Sequence, residues 1–177
     1  ARPRTARCAV RKWSRWIATI PMAGTDPVAD KGALAERIVG AWRLVSYSAT
    51  HGDVTRYPMG QGAEGLLVYA DGIVSVNLMM PGRPRPRHGT MRDLDDASAG
   101  PLARGYMAYA GSYRVDEGAG IIHHNFELCL DPALIGAPAP RHARLIDGQL
   151  ELCTPPALIT GVERTARLLW RRYDARG

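Results

Sequence analysis

The sequence predicts an all-β protein: an up-and-down antiparallel barrel of about eight strands with room inside for one small molecule. Three observations lead there. Runs rich in β-branched and aromatic residues recur from Trp42 to Tyr173, each bounded by turn-forming residues. Two of the turns are Asp-Gly pairs, Asp71-Gly72 and Asp147-Gly148, and such a pair between two β runs is the strongest short-range hairpin cue. The runs are evenly spaced, which favours a barrel or sandwich over a parallel α/β sheet.

The elements follow in chain order. Asp26 is a good N-cap and Pro27 suits the first helical position, so a short helix opens there. It shows apolar residues on one side at Leu34, Ile38 and Val39 and ends at Gly40. From Trp42 the pattern becomes β. Residues 42–47 form a strand that turns at His51-Gly52-Asp53. Residues 65–69 and 73–80 form a hairpin across Asp71-Gly72. The stretch from Pro81 to Arg87 holds three prolines and reads as a basic loop, because proline removes the donors a ladder needs. An acidic start at Asp93, Asp95 and Asp96 announces a short helix beside one mouth of the barrel, weakened by Gly100-Pro101. Strands then run over 109–116, 121–130, 141–146, 149–154 and 165–173.

Composition sets the function classes. At 177 residues, 46% hydrophobic and 23% charged, the chain suits one domain with a buried core. The net charge of +6 suggests nucleic acid until it is located. Arg2, Arg4, Arg7, Arg11, Lys12 and Arg15 are six of the 23 basic residues and precede every one of the 17 acidic ones, so the rest of the chain carries 17 of each. The barrel is neutral and no nucleic-acid partner is expected of it. Residues 1–24 read as a basic leader, disordered or non-native ahead of Met22, and residues 25–177 as a single barrel domain. A targeting peptide, or an arm touching membranes or nucleic acid through Trp13, Trp16 and Ile17, are the other readings of the leader. No run of about 18 apolar residues exists, so no transmembrane helix is expected. Cys8, Cys129 and Cys153 make an odd count without a C-x-x-C pair, which argues against zinc and a disulfide framework and for a cytoplasmic chain. No cofactor or metal is expected, and the chain is read as a monomer or homodimer.

A succession of segments carries a resemblance. Gly40-Ala41-Trp42 resembles the Gly-x-Trp entry of lipocalins and other calycin barrels. It is followed by Tyr57-Pro58-Met59-Gly60, Gly65 to Tyr69, Met79 to Pro84, Tyr109-Ala110-Gly111-Ser112-Tyr113, His123-His124 and Thr154-Pro155-Pro156. Together these are similar to the bacterial and fungal lipocalin-like domain family across about 38–173. The resemblance implies that Trp42 plugs one end of the barrel under an arginine from the closing strand, with Arg167, Arg171 and Arg172 as candidates. It also implies a ligand pocket, a setting in secondary metabolism, and members that are either passive carriers or cyclases and isomerases confining a reactive substrate.

Candidate site residues follow from strand alternation. Consecutive side chains face opposite ways, so His123 and His124 cannot both enter the barrel or share a metal. His123, Asn125, Glu127 and Cys129 form one face of that strand; His124, Phe126, Leu128 and Leu130 form the other. An apolar core takes the second set inward, whereas a barrel holding an oxygenated molecule takes the first and brings Glu127 near His123. Tyr109 and Tyr113 share a face, with Gly111 between them leaving room for a ligand. The ligand-binding expectation is Tyr69, Asn77, Met79, Tyr109, Tyr113, His123 and Glu127. Tyr113, His123 and Glu127 are the candidates for catalysis should the barrel act on its guest. The function expected is binding of a small apolar or amphipathic metabolite, with a cyclase or isomerase acting on a polyketide- or polyene-like substrate as the alternative.

Overall fold

The computed structural model describes residues 33–159 and 161–174. Eight strands close a ring: β1 (Gly40–His51), β3 (Glu64–Ala70), β4 (Ile73–Met79), β5 (Tyr106–Asp116), β6 (Ile121–His124), β8 (Ala139–Ile146), β9 (Gln149–Cys153) and β11 (Val162–Arg172). Each pairs antiparallel with the next, and β11 returns to β1 from Trp42↔Arg172 to Thr50↔Thr165. Closure leaves no long unpaired edge. Three short strands, β2 (Val54–Arg56), β7 (Leu128–Cys129) and β10 (Ala157–Ile159), extend β1, β5 and β11. Both Asp-Gly pairs form the expected hairpins; Asp71 and Asp147 take φ of 49° and 50°, followed by glycines at 78° and 74°. Positive φ at both central residues gives the turn whose twist matches the flanking strands.

The end holding these tight turns is closed. Helix α1 (Leu34–Ile38) places Ile38, fully buried, beneath the barrel, and the Trp42 indole Nε1 donates to the Ile38 carbonyl at 2.8 Å. Of the three candidate arginines, Arg172 covers Trp42, with its guanidinium 4.0 Å from the ring centroid. It also donates to the carbonyls of Val39 (2.6 Å) and Arg37, tying the last strand to the end of the helix. Gly40 sits at φ 121°, and a Cβ there would lie 2.8 Å from the Arg172 guanidinium. That close approach explains the glycine in Gly-x-Trp. Asp26 lies outside the described residues. The described helix is capped from a distance, the Glu117 carboxylate accepting from the backbone N–H of Leu34 and Ala35 at 2.9 and 2.8 Å.

The opposite end carries the longer connections. Helix α2 (Asp96–Arg104) stands there between β4 and β5, capped by Asp95 and continuous through Pro101. Arg83 anchors the proline-rich loop by donating to the Leu102 carbonyl at 3.0 Å and stacking on Tyr106. No described helix is long and apolar enough to cross a membrane.

Two irregularities decide which side chains face inward. In β1 the pairing with β11 shifts between Leu44 and Ser46. Trp42 and Leu44 point inward, Val45 bulges out, and beyond it Tyr47 and Ala49 are the buried pair. The second lies where β6 passes into β7: His124 pairs with Tyr113, but Cys129 pairs with Tyr109, one residue out of step. Asn125 and Glu127 donate to the Ser112 and Ala110 carbonyls of β5 in step, and the extra residue enters at Glu127-Leu128, which both oppose Ala110. His124 and Phe126 are buried, Leu128 is turned out to solvent, and Cys129 faces back to the core.

Candidate ligand site

A cavity of about 480 Å³ occupies the open half of the barrel. Its inner wall comes from the strands: Val76, Leu78, Met107, Leu152, Leu168 and Trp170 are apolar contributors from four sides. Tyr109 and Phe126 form an aromatic wall with ring centroids 4.1 Å apart. Its rim comes from the 134–140 and 154–159 segments, which carry four prolines, Pro138, Pro140, Pro155 and Pro156. Four polar groups border it: the hydroxyls of Tyr47, Tyr109 and Thr154, and the guanidinium of Arg141. Sites for small molecules span about 300–1,000 Å³ and combine apolar walls with a few placed polar groups, and this one fits that description.

Behind the wall a polar chain runs across the barrel. The Tyr69 hydroxyl lies 2.7 Å from His124 Nε2, and the Tyr109 hydroxyl lies 2.9 Å from His124 Nδ1. All three are buried, and Tyr113 completes the cluster with its ring edge-on to Tyr69 at 4.8 Å. Burial, reinforced by the nearby Arg141 charge, lowers the His124 pKa to about 3, so the imidazole is neutral at physiological pH. Burial likewise raises the phenols of Tyr47, Tyr69 and Tyr109, against a smaller opposing pull from Arg141. A guanidinium only donates. Arg141 therefore takes no proton from the phenols, and the Tyr109 proton is left for His124 or for a guest.

The seven expected ligand residues divide by face. Tyr69, Tyr109 and Tyr113 stand on the inner side, and of these Tyr109 borders the cavity. Asn77, Met79, His123 and Glu127 face outward, contrary to expectation. On β4 the apolar set Val74, Val76 and Leu78 is buried, which turns Asn77 and Met79 out. Asn77 accepts from the Tyr106 hydroxyl at 2.9 Å, and Met79 borders a separate hollow under the proline-rich loop. On β6 the apolar alternative prevails, with His124 inward and His123 outward. Glu127 is exposed and holds the outside of the bulge, accepting from the Ser112 hydroxyl at 2.8 Å and the Ser112 N–H at 3.0 Å. Those bonds lower its pKa. Gly111 makes room for this bulge and not for a ligand: a Cβ there would lie 1.9 Å from the Asn125 carbonyl oxygen.

Sequence reasoning missed Tyr47 and Arg141. Arg141 had a signal: Ala139, Ala143 and Leu145 alternate on one apolar face of β8, and Arg141 falls in their series. Tyr47 had none, because strict alternation from Trp42 points it outward until the bulge at Val45 is known.

The model of the lipocalin-like domain matches residues 39–173, the whole barrel. The chain belongs to the lipocalin-like domain family. This lipocalin-like barrel is 28% identical over 106 residues to the 4′-hydroxy-3′-methoxypropiophenone carrier protein of Aspergillus oryzae, a match covering 56% of the chain and 96% of that relative. Among solved structures it is similar to the fatty acid transporter REP1-NXSQ, with 10% identity, a TM-score of 0.38, and coverage of 80% of this chain and 99% of that one. It is also similar to a variant of the fluorescent protein UnaG, with 13% identity, a TM-score of 0.36 and the same coverages.

Proposed function

We propose that this lipocalin-like barrel binds a small, largely apolar aromatic molecule in its open-ended cavity and carries it unchanged, in the setting of secondary metabolism. The cavity itself carries the reading: about 480 Å³ with aromatic and aliphatic walls and polar groups confined to a few points. The Aspergillus relative, a carrier of an aryl ketone by its name, supports both the guest's chemistry and carriage without conversion. The protonation states also favour carriage over acid–base isomerisation. The buried tyrosines hold their protons more tightly than free phenol, and His124 takes one up only near pH 3. None of these groups is poised to exchange a proton at neutral pH.

The test is calorimetric titration with 4′-hydroxy-3′-methoxypropiophenone, followed by mass spectrometry of the released compound. Saturable binding and recovery of unaltered ketone are expected. Leu168→Trp, which fills the cavity from β11, should abolish binding while leaving the circular dichroism of the barrel intact. Conversion of the ketone, or equal binding by the filled variant, would refute the proposal.

A further inference from the structure

We infer that the molecule carried is an anion, an apolar body ending in a carboxylate or an ionised phenolic or enolic oxygen, seated on Arg141. This rests on the binding reading above and adds the charge of the guest.

The argument starts from where the guanidinium stands. Arg141 occupies the inner face of β8 between Ala139 and Ala143, both buried and too short to shield it, and it borders the cavity. It shares that lining with Tyr47 and Tyr109, and its charge acts on both of them and on His124. Its hydrogen-bond partner is neutral: Nη1 donates to the Pro140 carbonyl at 3.0 Å. A guanidinium offers five N–H donors, so most of them stay available to a guest.

The barrel supplies no counter-charge. Among the described residues every Asp and Glu is exposed except Glu151. Glu151 lies on the outer face of β9, where Arg144 and Arg167 hold it in ion pairs. A cation kept on an apolar face away from any carboxylate is an unfavourable arrangement, and an incoming oxyanion corrects it. Charge-assisted bonds of this kind are roughly twice as strong as neutral ones.

The neighbouring groups suit an oxyanion as well. Tyr47 and Tyr109 border the same cavity and keep their O–H groups as donors. Arg164 follows the inward alternation of Ala166, Leu168 and Trp170 on β11, is buried, and has a buried Nε without a hydrogen-bond partner. It adds a second positive charge near the open end.

The test compares two guests of nearly identical shape, trans-cinnamate and its neutral amide trans-cinnamamide, by calorimetry at about pH 7.5 beside propiophenone, an aryl ketone with no ionisable hydroxyl. The wild-type protein should bind cinnamate about tenfold or more tightly than cinnamamide. Arg141→Met should erase that preference, binding cinnamate and cinnamamide alike, while Arg141→Lys should keep part of it. Cinnamamide binding wild type as tightly as cinnamate would overturn the inference and leave the binding reading standing. A cinnamate preference that survives in Arg141→Met would overturn the assignment to Arg141. Failure of all three compounds to bind would remove the binding reading itself, and this inference with it. Should the methionine variant not fold, the wild-type comparison and the lysine variant decide.

Discussion

His124 holds an unprotonated imidazole between two phenols inside an apolar barrel, and that has a consequence for stability. In the unfolded chain the same imidazole titrates near its free value of about 6.5. In the folded protein its pKa falls to about 3, through burial first and the Arg141 charge second. Below about pH 6.5 the unfolded chain therefore binds a proton that the native state refuses, and stability declines as pH falls toward 3. Between pH 7 and 5 this amounts to about 2 kcal/mol. The paired carboxylates Glu127 and Glu151 are also held below their ordinary values, Glu127 by the Ser112 bonds and Glu151 by its arginines against the opposing effect of burial. Their contribution is lost only at lower pH, as it falls below about 4.5, so the two effects separate. Urea midpoints measured at pH 7, 6 and 5 should fall steadily in the wild type and stay nearly level in His124→Asn. A level wild-type profile would show that the imidazole is not buried in its neutral form.

At the scale of elements, the bulges govern the interior more than the strands do. The β6–β7 bulge brings the Asn125 carbonyl against Gly111, where a methyl group would lie 1.9 Å from oxygen. Backbone cannot yield there as a flexible side chain would. Gly111→Ala should therefore cost about 3 kcal/mol or more in urea unfolding, above the usual range for added methylenes, and disturb the Glu127–Ser112 contacts outside it. A change of a few tenths would mean the bulge relaxes freely.

The same bulges mark the limit of what the sequence reveals. Strand positions and hairpins follow from local chemistry: β-branched runs, Asp-Gly turns and prolines that end ladders. All eight barrel strands are legible in this way, as is the Gly-x-Trp entry. Orientation is not local. A single inserted residue reverses every side chain beyond it, and the bulge at Val45 alone brings Tyr47 into the cavity. His123 and Glu127 looked like an inward pair because polar alternation carries no sign of direction. The covering of Trp42 by Arg172 depends on the closure of β11 on β1, which three nearby arginines leave undecided until the register is known.

At the scale of the whole molecule, closure divides the barrel into two halves with different tasks. The half near the tight turns is plugged by Ile38, Trp42 and Arg172 and crossed by the Tyr69–His124–Tyr109 chain. The other half keeps its volume, because prolines and small residues take the place of large core side chains at the rim. The plug lies at one end and the ligand site at the other. The neutral overall charge of the barrel agrees with a small-molecule guest, and it makes the inward Arg141 the more telling charge. The central claim is that the inner face binds and the outer face does not. An amide and side-chain NMR titration with 4′-hydroxy-3′-methoxypropiophenone tests it most directly. Saturable shifts should gather at Tyr47, Tyr109, Phe126, Arg141 and Leu168 and leave Asn77, His123 and Glu127 unmoved. Shifts centred on those three outward residues, or none that saturate, would contradict the account.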